Sequence, residues 1–229
     1  MAPKVKVCGL TRLEDAQLAA ELGAWALSMI FWRGTPRHVR AAEADRIGAA
    51  FRRAPVEVCG VFVNATLDEV ARVHERVGLT LIQLHGDEGP AYAAELHRRT
   101  GARVIKARSV GDRGDVQALD AFRDVDFHLV DARVPGMRGG TGQTVDVELV
   151  RARRSHVPLI LAGGLNAENV AGAVRALEPY AVDTASGTEA EPGVKDPEKL
   201  RAFFAALGTV GGTIRPDARG SGLAPGMVQ

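Results

Sequence analysis

Five side chains and two glycine-rich turns in this sequence have types and neighbours suited to moving a proton or holding an anion. Cys8 stands in Val7-Cys8-Gly9, where an apolar run gives way to glycine. A thiol has an ordinary pKa of about 8.5, and positive neighbours lower it, so Cys8 serves either as a base near neutral pH or as a small packed apolar residue. Asp131 closes the run His128-Leu129-Val130. A carboxyl group there is a general acid, an orienting group, or a cap for the next loop. Arg37, stiffened by Pro36, carries a planar fork that grips a carboxylate or phosphate through two parallel hydrogen bonds, unless it lies solvated on the surface. Gln83 and His85, in Gln83-Leu84-His85-Gly86, are candidate substrate contacts, His85 in a lesser role. Ala162-Gly163-Gly164-Leu165-Asn166 and Ala185-Ser186-Gly187 offer bare backbone to an anion. One such turn alone is ordinary. The pair, with Gly163, Gly164, Ser186 and Gly187 as its contacts, points to a phosphate site.

These groups fall at the ends of short β-branched runs that alternate with amphipathic stretches of helix length. The first unit is Val5–Cys8 then Leu13–Leu22, stopped by Gly23. Next come Ala26–Phe31 with Ala42–Arg52, Val56–Val63 with Leu67–Val77, and Leu81–Leu84 with Ala91–Arg98. Arg103–Ala107 precedes a weak helix near Val116–Phe122, and Phe127–Val130 precedes Val147–Arg154 after a long loop. Leu159–Leu161 leads to Ala167–Leu177 with Asn166 as cap, and Ala181–Thr184 leads to Pro197–Leu207 with Asp196 as cap. Strands alternating with helices argue for a parallel sheet, and eight such units predict an α/β fold, a single (β/α)₈ TIM barrel. An open doubly wound sheet is the weaker reading, since no G-x-G-x-x-G opens a helix. In a barrel, active groups lie at the C-terminal strand ends, where all the candidates above stand. The catalytic domain is expected over residues 1–207, with 208–229, rich in glycine and proline, as a flexible or disordered tail.

Composition agrees. The chain has 229 residues, 46% apolar and 25% charged, with a formal net charge of +1. That balance gives no footing for a nucleic-acid partner. Its longest apolar runs are too short to span a bilayer, and no signal-peptide core opens the chain. The two cysteines, Cys8 and Cys59, are too few for a disulfide scaffold and lack zinc spacing, so no metal site and a cytoplasmic location are expected. A monomer or a homodimer fits equally.

Taken together, the motifs resemble one family. Lys6-Val7-Cys8-Gly9-Leu10-Thr11-Arg12, Gly60-Val61-Phe62-Val63-Asn64, Gln83-Leu84-His85-Gly86-Asp87, Gly139-Gly140-Thr141-Gly142, Leu161-Ala162-Gly163-Gly164-Leu165-Asn166, Ser186-Gly187-Thr188-Glu189 and Pro192-Gly193-Val194-Lys195-Asp196 are similar, in order, to those of phosphoribosylanthranilate isomerase. The resemblance implies a cofactor-free Amadori rearrangement in tryptophan biosynthesis, from N-(5′-phosphoribosyl)anthranilate to 1-(o-carboxyphenylamino)-1-deoxyribulose 5-phosphate. It implies Cys8 as base, Asp131 as acid and Arg37 as the contact to anthranilate. The chain departs from the family pattern at Ser28-Met29, at Phe31-Trp32-Arg33-Gly34, at Gln143 in a loop expected to close over substrate with Arg133 and Arg138, at Val147 and at Thr184-Ala185. Ser28 and Met29 are expected either to repack the barrel or to alter the site wall. Competing readings are a phosphosugar epimerase, a Schiff-base aldolase using the strand-end Lys106, and a non-catalytic anion-binding barrel.

Overall fold

A computed structural model describes residues 2–131 and 147–208. Eight parallel strands close into one barrel: β1 (Lys4–Cys8), β2 (Ala26–Ile30), β3 (Glu57–Phe62), β4 (Leu81–Leu84), β5 (Arg103–Ser109), β6 (Phe127–Asp131), β7 (Leu159–Ala162) and β8 (Ala181–Thr184). Between them run α1 (Leu13–Glu21), α2 (Ala41–Phe51), α3 (Leu67–Val77), α4 (Pro90–Thr100), α5 (Arg113–Leu119), α6 (Val147–Arg151) and α7 (Val170–Leu177). After β8 comes a single 3₁₀ turn (Ser186–Thr188). A small antiparallel hairpin follows, β9 (Glu189–Glu191) with β10 (Val194–Lys195), and then α8 (Pro197–Gly208).

The strands are buried on both faces, which is why they read as nearly continuous apolar runs. Alternate residues face inward. Ala26, Cys59, Leu81, Ile105, Phe127, Leu129, Ile160 and Ala181 fill the barrel as one cluster. Their neighbours Val7, Leu27, Val58, Ile82, Val104, Val130, Leu161 and Val182 pack outward against the helices. Met29 belongs to this outer layer and Ser28 to the lumen, which settles what that departure does: Ser28 changes the site wall and Met29 the helix packing.

The predicted elements are all present, with shifted edges. α5 begins at Arg113, capped by the Asp112 carboxylate on the Asp115 amide, three residues before the expected start. α7 begins at Val170, not Ala167. The Asn166 carboxamide accepts the Glu168 and Asn169 amides, which makes a separate turn ahead of the helix. Asp196 does cap α8, accepting the Glu198 and Lys199 amides. The expected closing loop with Arg133, Arg138 and Gln143, and the tail after Gly208, lie outside the described residues.

Candidate active site

The candidate residues gather at one end of the barrel because parallel strands all finish there. Cys8 ends β1 and Asp131 ends β6. Between them lie β8 and β7, so the two are three strand spacings apart, roughly 14 Å along the wall and less across the lumen. Asp131 shares the inward phase of β6 with Phe127 and Leu129, and Cys8 alternates with the outward Val5 and Val7 of β1, so both face the lumen.

Cys8 is buried and sits beside Ser28, with Sγ 3.7 Å from the Ser28 hydroxyl. Burial pushes its thiol above the ordinary range, against the pull of Lys6 and, more weakly, of Lys195. Cys59 lies deeper, fully buried, and burial pushes it up to about 11, as suits a packing cysteine. Gln83 is buried, and its amide nitrogen lies 3.0 Å from His85 Nδ1. With Nδ1 accepting from that amide, the ring proton is carried on Nε2. Burial holds His85 below its usual value, so the ring is neutral at pH 7.

Arg37 is brought to the same mouth and is already engaged. Its Nε donates to Glu189 at 2.9 Å and its Nη2 at 2.6 Å, which leaves the Nη1 side of the fork turned away from that carboxylate. Glu189 is buried on β9 and also receives Lys195, 3.4 Å away, and the Gly193 amide. This clamp raises the Arg37 value further.

The two glycine-rich turns are locked together. Gly163 and Gly164 take positive φ, +106° and +64°, which L side chains adopt only with strain. Asn169 holds that turn through a hydrogen bond to the Gly164 carbonyl. The backbone of Gly187 comes so close that a Cβ there would lie 2.0 Å from the Leu165 carbonyl oxygen. Thr184 Oγ1 donates to that same carbonyl, and Lys195 Nζ donates to the Ala185 carbonyl. Ser186, in the second turn, is exposed.

Lys106 points out of the lumen, since its neighbours Ile105 and Ala107 are the inward residues of β5. Its ammonium is buried outside the lumen, donating to the Gly86 carbonyl at 2.7 Å and paired with Glu88 at 3.0 Å. That placement removes the support for a Schiff-base aldolase. Sequence reasoning passed over Lys6, Asp183, Glu88, Glu189 and Lys195. A signal existed for Lys6: it lies two residues before Cys8 on one strand, so both face inward. Glu189 and Lys195 sit on a hairpin that no periodicity announces.

A closed parallel barrel with a thiol, a carboxyl group, an imidazole and a clamped guanidinium ringing one mouth defines an enzyme of the (β/α)₈ class. The comparisons narrow this. The sequence profile of the family described as "N-(5'phosphoribosyl)anthranilate (PRA) isomerase" matches residues 5–206, and the chain belongs to that family. It is an aldose–ketose isomerase of the tryptophan-biosynthesis class. The chain is 45% identical to N-(5'-phosphoribosyl)anthranilate isomerase of Citrifermentans bemidjiense over 88% of its own length and 95% of that protein. It superposes on the phosphoribosyl anthranilate isomerase of Thermotoga maritima with a TM-score of 0.81 at 34% identity, covering 90% of this chain and 99% of that one. A similar solved enzyme, at TM-score 0.78 and 33% identity over 90% of this chain and 99% of its own, is in complex with reduced 1-(o-carboxyphenylamino)-1-deoxyribulose 5-phosphate. Among the described residues, no helix is long and apolar enough to cross a membrane.

Proposed function

We propose that this chain converts N-(5′-phosphoribosyl)anthranilate into 1-(o-carboxyphenylamino)-1-deoxyribulose 5-phosphate, with Asp131 as general acid and Cys8 as general base. The observation that carries the reading is that a thiol and a carboxyl group end strands β1 and β6 at one mouth of one closed barrel. The reaction needs such a pair. Asp131 protonates the furanose ring oxygen, the bond from that oxygen to C1′ breaks, and the anthranilate nitrogen's lone pair forms the Schiff base. Cys8, as thiolate, then takes the proton from C2′. The electron pair left behind moves toward the cationic nitrogen, giving an enolamine that tautomerises to the ketone. Each positioned proton-transfer group is worth about 10²–10⁴-fold.

The remaining groups hold the two ends of the substrate. The Arg37 fork binds the anthranilate carboxylate, while Gln83 and His85 contact the body of the substrate, with neutral His85 donating from Nε2. Gly163, Gly164, Ser186 and Gly187 hold the phosphate. Residues 1–207 serve as the catalytic domain. Fixing both ends leaves the reacting carbon between acid and base.

The test follows loss of anthranilate fluorescence during turnover. Cys8→Ala and Asp131→Asn are each expected to lower kcat by 10²–10⁴-fold with KM within a few-fold of the parent. Arg37→Ala is expected chiefly to raise KM. Near-parental rates in both the Cys8 and Asp131 variants would refute this assignment of acid and base.

A further inference from the structure

Directly beneath Cys8 the barrel buries a charge pair where an apolar layer would suffice. Lys6 on β1 and Asp183 on β8 are partners in the strand register, and the ammonium donates to Asp183 Oδ1 at 2.9 Å. Lys6 is 0% exposed and Asp183 8%. Their lumen neighbours Ala26, Cys59 and Ala181 are small and apolar. Desolvating two charges consumes much of what their attraction returns, and replacing a buried pair with packed apolar residues is often neutral or stabilising. Stability alone therefore gives this pair no clear purpose. Its position does: Lys6 precedes Cys8 by two residues, so both side chains leave the same face of the strand, about 6.6 Å apart along it.

We propose that the Lys6–Asp183 pair is a positioning device for Cys8, holding a fixed positive charge under the sulfur so that the thiolate can exist in a site otherwise hostile to charge. This rests on the reading of Cys8 as the base. Asp183 has two effects. It anchors the ammonium and keeps it protonated despite its burial, and it partly offsets the ammonium's field at the sulfur.

The other groups around the sulfur do not supply the same effect. From β2 the Ser28 hydroxyl is neutral, and from β3 Cys59 is a second buried thiol. Lys195 on β10 pulls the thiol down less than Lys6 does, and its ammonium is tied to the Ala185 carbonyl and Glu189. Arg37, after β2, is matched by the Glu189 carboxylate. Across the lumen stand neutral His85 on the loop after β4 and Asp131 on β6.

The experiment reads the thiol itself. In a Cys59→Ser background, where Cys8 is the one cysteine left of two, the rate of Cys8 alkylation by iodoacetamide is measured by mass spectrometry from pH 6 to 11. Lys6→Met is expected to move the midpoint up by at least one pH unit and to slow alkylation at pH 8 about tenfold or more. Asp183→Asn, which removes the group that keeps the buried ammonium protonated, is expected to move it up as well, by less than Lys6→Met does. A rise from both substitutions, larger for loss of the ammonium itself, is not what a merely structural role produces. A midpoint unmoved by Lys6→Met overturns the inference. If that variant does not fold, Asp183→Asn decides alone, and a midpoint that fails to rise overturns the inference. The low-pH limb of kcat/KM should track the alkylation midpoint. If alkylation shifts as expected while turnover ignores it, Cys8 is not the base and the functional reading fails, although the pair still tunes the thiol. If Cys8→Ala is inactive but the midpoint ignores both substitutions, the inference fails alone.

Discussion

At the scale of single residues, the site is governed by which charges are already matched before substrate arrives. Burial sets Cys8 above an ordinary thiol, so the neutral form dominates at pH 7 in the empty site. A base acts only when deprotonated, and below its pKa the deprotonated fraction rises tenfold per pH unit. The dependence of kcat/KM, which reports the free enzyme, should therefore still climb beyond pH 8.5. A plateau reached by pH 7 would contradict a free-site role for the Cys8 thiolate. Glu189 presents the converse case of a charge matched in advance. It grips the Nε–Nη2 edge of Arg37, fixing the plane of the guanidinium while Nη1 stays turned outward. A fork held in advance loses little freedom when a carboxylate docks. Glu189→Ala should accordingly raise KM about tenfold with kcat nearly unchanged. Glu189→Gln, which keeps an acceptor for the Nε proton, should stay within about threefold. Equal KM values in the two variants would show that Glu189 does not orient Arg37.

At the scale of elements, one buried carboxylate ties the loops that follow two strands to the strand beside them. Glu88 accepts the Asn64 amide after β3 at 2.7 Å, the Gly86 amide after β4 at 2.9 Å, and the Lys106 ammonium of β5 at 3.0 Å. His85 is carried on the loop after β4. Removing the charge leaves Lys106, 2% exposed, without its counter-ion, which typically costs about 3–5 kcal/mol. Glu88→Gln should lower the urea midpoint by a corresponding amount and reduce kcat/KM several-fold by loosening His85. An unchanged midpoint would show that the pair contributes nothing to the fold. This hub was not legible in the sequence, because the partners lie 18 and 24 residues apart and meet only after three strands are in register. Strands and strongly amphipathic helices were legible. α3 falls at Leu67–Val77 as expected, and there a capping box at Thr66 and Glu69 and a left-handed Gly78 mark both ends. α7 was misread by a turn, because Asn166 has the residue type of a cap and uses it on an isolated turn, while the position just ahead of the helix belongs to Asn169. The placement of Cys8, Asp131, Arg37 and the glycine turns at one end was legible because parallel barrel strands all finish there. Asp183 was not, because a charged residue inside a strand reads as an exposed face until closure makes that face the lumen, and Lys6 was legible only through its two-residue spacing from Cys8.

At the scale of the whole molecule, barrel closure places an aromatic packing layer and the candidate chemistry at opposite ends. At the N-terminal strand ends, Trp25, Phe127 and Tyr180 form an aromatic plug with ring centroids 5.1–5.6 Å apart. Lys4 lies 5.0 Å over Tyr180, and Arg103 5.4 Å over Phe127, with their charged heads at the rim. None of these groups shares a hydrogen bond with the mouth residues among the described residues. Trp25→Ala removes the ring at the centre of this plug, and truncation of a packed large aromatic costs about 3 kcal/mol at the low end. For a chain of this size that corresponds to a fall in Tm of roughly 6–12 °C. Because the mouth is built by strand C-termini and their loops, kcat and KM measured well below that Tm should remain within twofold of the parent. Cys8→Ala should do the reverse, with little change in Tm and a large loss of kcat, since it deletes one small sulfur beside Ser28. The two variants thus form a crossed test. A Trp25→Ala protein with parental Tm but altered KM would mean that the plug and the mouth are mechanically coupled through the barrel, and the division of labour between its ends would have to be abandoned.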